Sequence, residues 1–191
     1  MKKLAYILCI LILSPVKNLN AGDLKGAYLS YSNETLVAIH GVTVPFLSKE
    51  SESTMNQKNM RFIPRMLPVM IGKSVIFPNS EEIIYHNVYS ESGTNQFDLG
   101  TYRAGKIKAV EFKEAGIVEV MCKIHTRMYA AIIVLENPFY SLVDTNGQFS
   151  IKNIPKGNYE VVVYTLGDFE IISEGYQISV PEDGVVELTI E

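Results

Sequence analysis

The stretch VMCKIHTRM, residues 120–128, sets a histidine three positions after a cysteine and a methionine three positions beyond that. Thiolate and thioether are soft donors that suit Cu(I), and imidazole suits Cu(II). Cys122, His125 and Met128 in one short loop therefore offer three quarters of a redox-active copper site. A fourth ligand has to come from elsewhere, and the chain holds only three histidines: His40, His86 and His125. His40, in LVAIHGV, lies in an apolar strand far from the loop and reads as a satisfied or edge histidine. His86, in YHN, follows a Pro-Asn turn and precedes Cys122 by 36 residues, a separation that lets two strands meet across a sandwich. Two imidazoles, one thiolate and a weak axial thioether make the ligand set of a blue-copper centre. Zinc is the main rival for a Cys-x-x-His pair, but structural zinc favours four Cys/His ligands and thioether serves it poorly. Haem attachment wants a second cysteine ahead of the histidine.

Such residues converge only if strands bring them together, and the sequence reads as strands and turns throughout. KSVIFPN (73–79), IIYHNVYS (83–90), KAVEFKEAG (108–116), GIVEVMC (116–122) and YAAIIVLE (129–136) are rich in Val, Ile and Phe and bounded by Gly, Pro and Asn. His86 is expected near the middle of its strand. In GIVEVMC the alternation puts Val118, Val120 and Cys122 on one face, with Glu119 and Met121 on the other. Since Glu119 belongs in water, Cys122 points inward at the end of a core strand.

Composition shifts at ENPFYSL (136–142), and beyond it VDTNGQFSIKNIPKGNYEVVVY (143–164), EGYQISV and VVELTIE form a further run of strands. DTNG (144–147) looks superficially like the start of a calcium loop. Without a glutamate at the proper downstream spacing it reads as a hairpin turn.

The N-terminus reads as an export signal. Lys2 and Lys3 precede an apolar run, LAYILCILIL, and SPVKNLNA offers cleavage after Ala21. The run is short for a bilayer span, so the mature chain is expected to be periplasmic or secreted with no membrane span. Loss of residues 1–21 removes three lysines and no acid, taking the net charge from −4 to −7. That balance argues against a nucleic-acid partner. It also removes Cys9 and leaves Cys122 as the sole cysteine, so no intramolecular disulfide can form. A lone thiol in an oxidising compartment needs burial or a metal.

Residues 51–136 resemble a cupredoxin of the plastocyanin and amicyanin kind. The motifs that carry the likeness are LPVMIGKSVIFPN (67–79), YHNVYS (85–90) and AGIVEVMCKIHTRMYAAIIVL (115–135). The two-residue gap between His125 and Met128 is similar to the short amicyanin loop. The resemblance implies a Greek-key β-sandwich in which His86, Cys122, His125 and Met128 hold one copper ion. It also implies that Asn87 donates its backbone N–H to the Cys122 sulfur and ties the two ligand loops with its side chain. Val118, Val120, Ala130, Lys123 and Arg127 depart from residues common in that family without removing a ligand. The segment LVDTNGQFSIKNIPKGNYEVVVYTLG resembles the carboxypeptidase regulatory-like, prealbumin-type β-sandwich, a non-catalytic module. The expected organisation is an all-β chain with a signal at 1–21, a cupredoxin domain at 51–136 and a second small β-sandwich at 137–191. Strands from residues 22–50 are expected to pair with the tail.

The function expected from these features is a blue-copper electron carrier that exchanges electrons with other exported redox proteins. His125 would be the port, bordered by Lys123, Thr126 and Arg127, although ordinary solvation accounts for those charges too. The alternative is copper storage, delivery or resistance, for which Met55, Met60, Met66 and Met70 could relay Cu(I). Packing of core gaps explains the same methionines at their irregular spacing. A metal-free interaction module would leave the four potential ligands without a role. A copper enzyme would need a second copper held by further histidines, and only His40 is left.

Overall fold

The computed structural model describes residues 5–10, 21–29, 34–44 and 52–190. Every regular element among them is a β-strand. The chain divides into two compact units, one of Met1–Thr43, Asn137–Thr165 and Ile172–Glu191, the other of Val44–Glu136 with Leu166–Ile171. The domain boundary expected at 50/51 falls in 45–51, outside the described residues.

The first unit opens with β1 (Ala5–Ile10), β2 (Ala21–Tyr28) and β3 (Thr35–His40). The described part of the expected leader is β1, which pairs antiparallel with the last strand; residues 1–4 and 11–20 lie outside the described residues. The second unit then supplies β4 (Ser53–Thr54), β5 (Asn56–Lys58), β6 (Arg61–Ile63), β7 (Met66–Met70), β8 (Lys73–Pro78), β9 (His86–Ser90), β10 (Phe97–Tyr102), β11 (Ile107–Phe112), β12 (Gly116–Met121) and β13 (Tyr129–Leu135). The chain returns to the first unit with β14 (Tyr140–Leu142), β15 (Gln148–Pro155), β16 (Gly157–Leu166), β17 (Ile171–Val180) and β18 (Val185–Ile190).

Two four-stranded sheets build the first unit, in the orders β1-β18-β2-β15 and β14-β3-β16-β17. Thus β2 pairs antiparallel with β15 and parallel with β18, while β3 pairs antiparallel with β14 and β16. The DTNG segment is a turn: Asp144 Oδ1 accepts the N–H groups of Asn146 and Gln148 at 2.8 and 2.9 Å. That carboxylate oxygen is spent on the backbone, as an Asx turn requires. His40 closes β3 with its Nε2 2.8 Å from the Tyr164 hydroxyl, a local partner that accounts for a histidine at a strand end.

In the second unit a five-stranded sheet, β10-β9-β12-β13-β7, and a three-stranded one, β11-β8-β4, share a single core. Alternation decides which side chains enter it. Val75 and Phe77 of β8, Val118 and Val120 of β12, and Ala130, Ile132 and Val134 of β13 are spaced by two and all fully buried. Cys122 continues the β12 series into the same cluster, which also holds Val88, Phe112 and Met128. Each large apolar side chain so buried contributes roughly 1.5–3 kcal/mol. At the β7–β8 turn, Gly72 has φ +78°, where a Cβ would be strained, and its N–H reaches the Phe112 carbonyl at 2.7 Å.

One strand differs from its sequence-based expectation. IIYHNVYS does not run extended from 83; β9 begins at His86 itself, so the histidine is the first residue of the strand and not a middle one. The reason is Asn79, whose side-chain amide donates to the Ile84 carbonyl at 2.9 Å and whose side-chain oxygen accepts the Glu81 N–H at 3.2 Å. Those bonds hold 80–85 as a compact turn, leaving Ile83 and Tyr85 exposed.

Candidate metal centre

Three donors meet at one end of the second unit's core. His86 arrives at the start of β9, Cys122 follows the end of β12, and His125 sits in the short loop before β13. One ligand atom from each of these residues lies within 4.8 Å of the others. The two imidazoles face each other Nδ1 to Nδ1 at 3.0 Å, their rings 4.8 Å apart and steeply inclined at 66°. Cys122 Sγ is 4.0 Å from His125 Nδ1. His86 and Cys122 are buried, and His125 is half-buried. Met128 is buried in the same core cluster as Cys122, and its N–H donates to the His125 carbonyl at 2.9 Å, closing the loop as a tight turn.

Those separations suit a small ion. Metal–nitrogen bonds of about 2.0 Å and a metal–sulfur bond of about 2.3 Å put trigonal donors roughly 3.5 Å apart, which the observed 3.0 and 4.0 Å bracket. The two facing imidazole nitrogens point the same way. Bare lone pairs at that distance repel unless a proton or a cation lies between them. Burial pushes the His86 imidazole below its ordinary value, its bond to Glu81 pulls the other way, and neighbouring His125 adds to the fall. His86 is therefore neutral near pH 7, the form that ligates.

Bonds around the donors hold them in place. The Asn87 backbone N–H donates to Cys122 Sγ at 3.4 Å. The Asn87 side chain spans the two ligand-bearing segments: its oxygen accepts the Lys123 N–H at 3.3 Å, and its amide donates to Asp98 Oδ1 at 2.7 Å. Asp98 in turn accepts the Gly100 N–H and pairs with Lys123 Nζ, both at 2.7 Å. Lys123 also lies over the Tyr89 ring at 5.0 Å. Lys123, Thr126 and Arg127, expected to border the port, are all exposed, and Lys123 is engaged with Asp98. A groove of about 760 Å³ opens beside His125, lined among others by Met60, Arg61, Arg65, Ile124 and Arg127.

The sequence did not single out Asp98 or Glu81. Asp98 lies on β10, across a register shift in its pairing with β9 between Asp98 and Thr101, so no sequence spacing marks it. The Lys123 ion pair foremost, then the Gly100 N–H and the Asn87 amide, hold its carboxyl down to about 2. A depressed carboxylate contributes stability above its ordinary 3.8 and loses it as pH falls through about 2. The Asp98 carboxyl carbon resonance is accordingly expected to keep its ionised position above pH 3.8 and to move as the pH approaches 2. In Asp98→Asn the Lys123 amide should exchange with solvent a few-fold faster even at neutral pH. Unaltered exchange in that variant would show that the strap does not order the loop.

No protein-family model matches this chain, and no curated protein does. Solved structures do resemble it. A reduced Cu(I) form of an amicyanin point mutant at pH 4 is 21% identical over 52% of this chain and 98% of its own, with a TM-score of 0.42. The copper-containing nitrite reductase of Thermus scotoductus SA-01 is 22% identical over 50% of this chain, with a TM-score of 0.43, and only 25% of the reductase is covered. A purple cupredoxin of Nitrosopumilus maritimus is 17% identical over 44% of this chain and 100% of its own, with a TM-score of 0.39. The tail's likeness to a carboxypeptidase regulatory-like module has no family match behind it.

Proposed function

We propose that this is an exported mononuclear copper protein that carries single electrons, with His86, Cys122, His125 and Met128 as ligands. The observation that supports it best is the buried Cys122 sulfur and two facing imidazoles, their donor atoms all within 4.8 Å of one another. Copper bound there supplies one-electron exchange between Cu(I) and Cu(II). The chain's own contribution is to fix the donors before any ion arrives. His86 and Cys122 are held on a strand start and a strand end, and the Asn87 N–H takes up one side of the sulfur. Buried Val88, Val118 and Val120 share their core and keep water away. A set of donors bound this firmly moves little when the charge on the ion changes, and small rearrangement is what a carrier needs. Half-buried His125 is the most exposed of the three clustered donors, which makes its ring the route for electrons in and out.

The test is direct. The protein, expressed with its own N-terminus and loaded with copper, should show an intense thiolate-to-Cu(II) band that saturates at one equivalent. A colourless protein holding zinc tightly would overturn the reading. Further Cu(I) binding beyond one equivalent would favour storage or delivery; against that, Met55 and Met66 are buried, as packing residues are.

Exported redox proteins are the expected partners. With the exposed Lys123 charge balanced by Asp98, exposed Arg127 adds the ligand loop's other positive charge. Arg127→Glu should slow association with an acidic redox partner by about tenfold at low salt, and the difference should shrink as salt is added. The copper band should not change. Equal rates for the two proteins would remove Arg127 from the docking surface.

A further inference from the structure

Glu81 lies on the far side of the His86 ring from the donor cluster. Its carboxylate Oε1 is 3.2 Å from His86 Nε2 and also accepts the Met60 N–H at 2.8 Å. The side chain is 9% exposed, whereas adjacent Glu82 is exposed to solvent. Two contacts fix where this carboxylate sits, one on the Glu81 main chain and one on its Oε1. Asn79 anchors the Glu81 N–H and pins the turn that carries it. The Met60 N–H is presented by the two-residue connection between β5 and β6, where Asn59 and Met60 have φ of 55° and 54°. Two successive positive φ values are the mark of a primed hairpin turn.

A carboxylate oxygen only accepts, so the proton of a neutral His86 ring has to be on Nε2. The Nδ1 lone pair is then bare, and Nδ1 is the atom that faces His125 at 3.0 Å. The geometry points to Glu81 as the positioning residue of the centre: it fixes the His86 tautomer, aims Nδ1 at the donor cluster, and sets a negative charge behind the ligand that favours cupric over cuprous ion. The last part rests on the copper reading above; the first two do not. A backbone carbonyl behind the ring would fix the tautomer as well, but it would not add the charge.

Three variants of the full chain separate these roles. Glu81→Gln keeps an oxygen acceptor and the shape but loses the charge, Glu81→Ala loses both, and Glu82→Gln removes a neighbouring charge that does not touch the ring. Nitrogen NMR of the metal-free protein should show His86 wholly as the Nε2–H form in the wild type and as a mixture of tautomers in Glu81→Ala. With copper, Glu81→Gln should retain the charge-transfer band while the ratio of Cu(II) to Cu(I) affinity falls about tenfold. For one electron that equals a rise in potential of about 59 mV. Glu82→Gln should leave the ratio where it was. A pure Nε2–H tautomer persisting in Glu81→Ala would overturn the positioning role, and an unchanged ratio in Glu81→Gln would overturn the charge role. If the wild type took up no copper, the carrier reading would fall, and the tautomer measurement would still decide whether Glu81 positions the ring.

Discussion

Cys122→Ser is expected to abolish the intense visible band and to weaken Cu(I) binding by well over about a hundredfold, the upper end of what losing a mere supporting contact costs. The band comes from electron transfer between thiolate sulfur and Cu(II), and a serine hydroxyl supplies neither the energy match nor the anion. A thiol loses its proton readily to a metal, while an alcohol does not. The position makes the substitution severe in a second way. Cys122 is buried in the core cluster with Val118, Val120 and Met128. A hydroxyl there loses water and has the Asn87 N–H in reach as its donor. Burying it costs on the order of 1–3 kcal/mol wherever the bonding is incomplete. Cys122→Ala avoids the buried hydroxyl and is the companion variant. Both should remain folded by circular dichroism and both should be colourless with copper. A band surviving in either protein would mean that some other group makes it.

The second large effect concerns stability. Phe77→Ala should destabilise the second unit by about 3–5 kcal/mol, the usual cost of emptying a buried aromatic site. Phe77 is fully buried on β8, 6.0 Å from Phe97, and Phe97 meets Phe112 edge-on at 6.1 Å and 86°. The three rings join β8, β10 and β11, so removing one leaves a cavity that strands fixed by hydrogen bonds cannot collapse to fill. For a unit of about a hundred residues each kcal/mol shifts the melting midpoint by about 4–8 °C, giving a drop of at least about 12 °C. Differential scanning calorimetry of the full chain would detect it. Phe77→Leu should recover most of the loss. A shift of only a degree or two would mean that the core tolerates the gap.

The strands around the centre were legible because alternation survives where one face is buried. GIVEVMC placed Val118, Val120 and Cys122 on the inner face by period two alone, and they are buried together. The elements of the tail were marked by Gly, Pro and Asn between β-rich runs. His86 was harder. Its stretch, IIYHNVYS, reads as continuously β-forming, yet the strand starts only at His86. The competing influence is Asn79, whose side chain captures the Ile84 carbonyl and the Glu81 N–H. Propensity gave way to side-chain capture of the backbone. Glu81 was not legible at all. In SEEII two adjacent acids look alike, and only the folded turn directs one to the ring and leaves the other in solvent. Asp98 escaped notice because its partners, Asn87 and Lys123, belong to other strands and loops.

The β5–β6 hairpin gains a meaning from this arrangement. Glycine is the residue most at ease where Met60 sits, since a left-handed backbone crowds any Cβ. Yet what the tip hands to the centre is a main-chain N–H, and an N–H needs no particular side chain, only a particular bend. On the copper reading, the Cu(II)/Cu(I) balance at His86 would follow the shape of a two-residue reversal well upstream of it. Drift in length at 59–60 would then retune a bound ion without touching any residue that holds it.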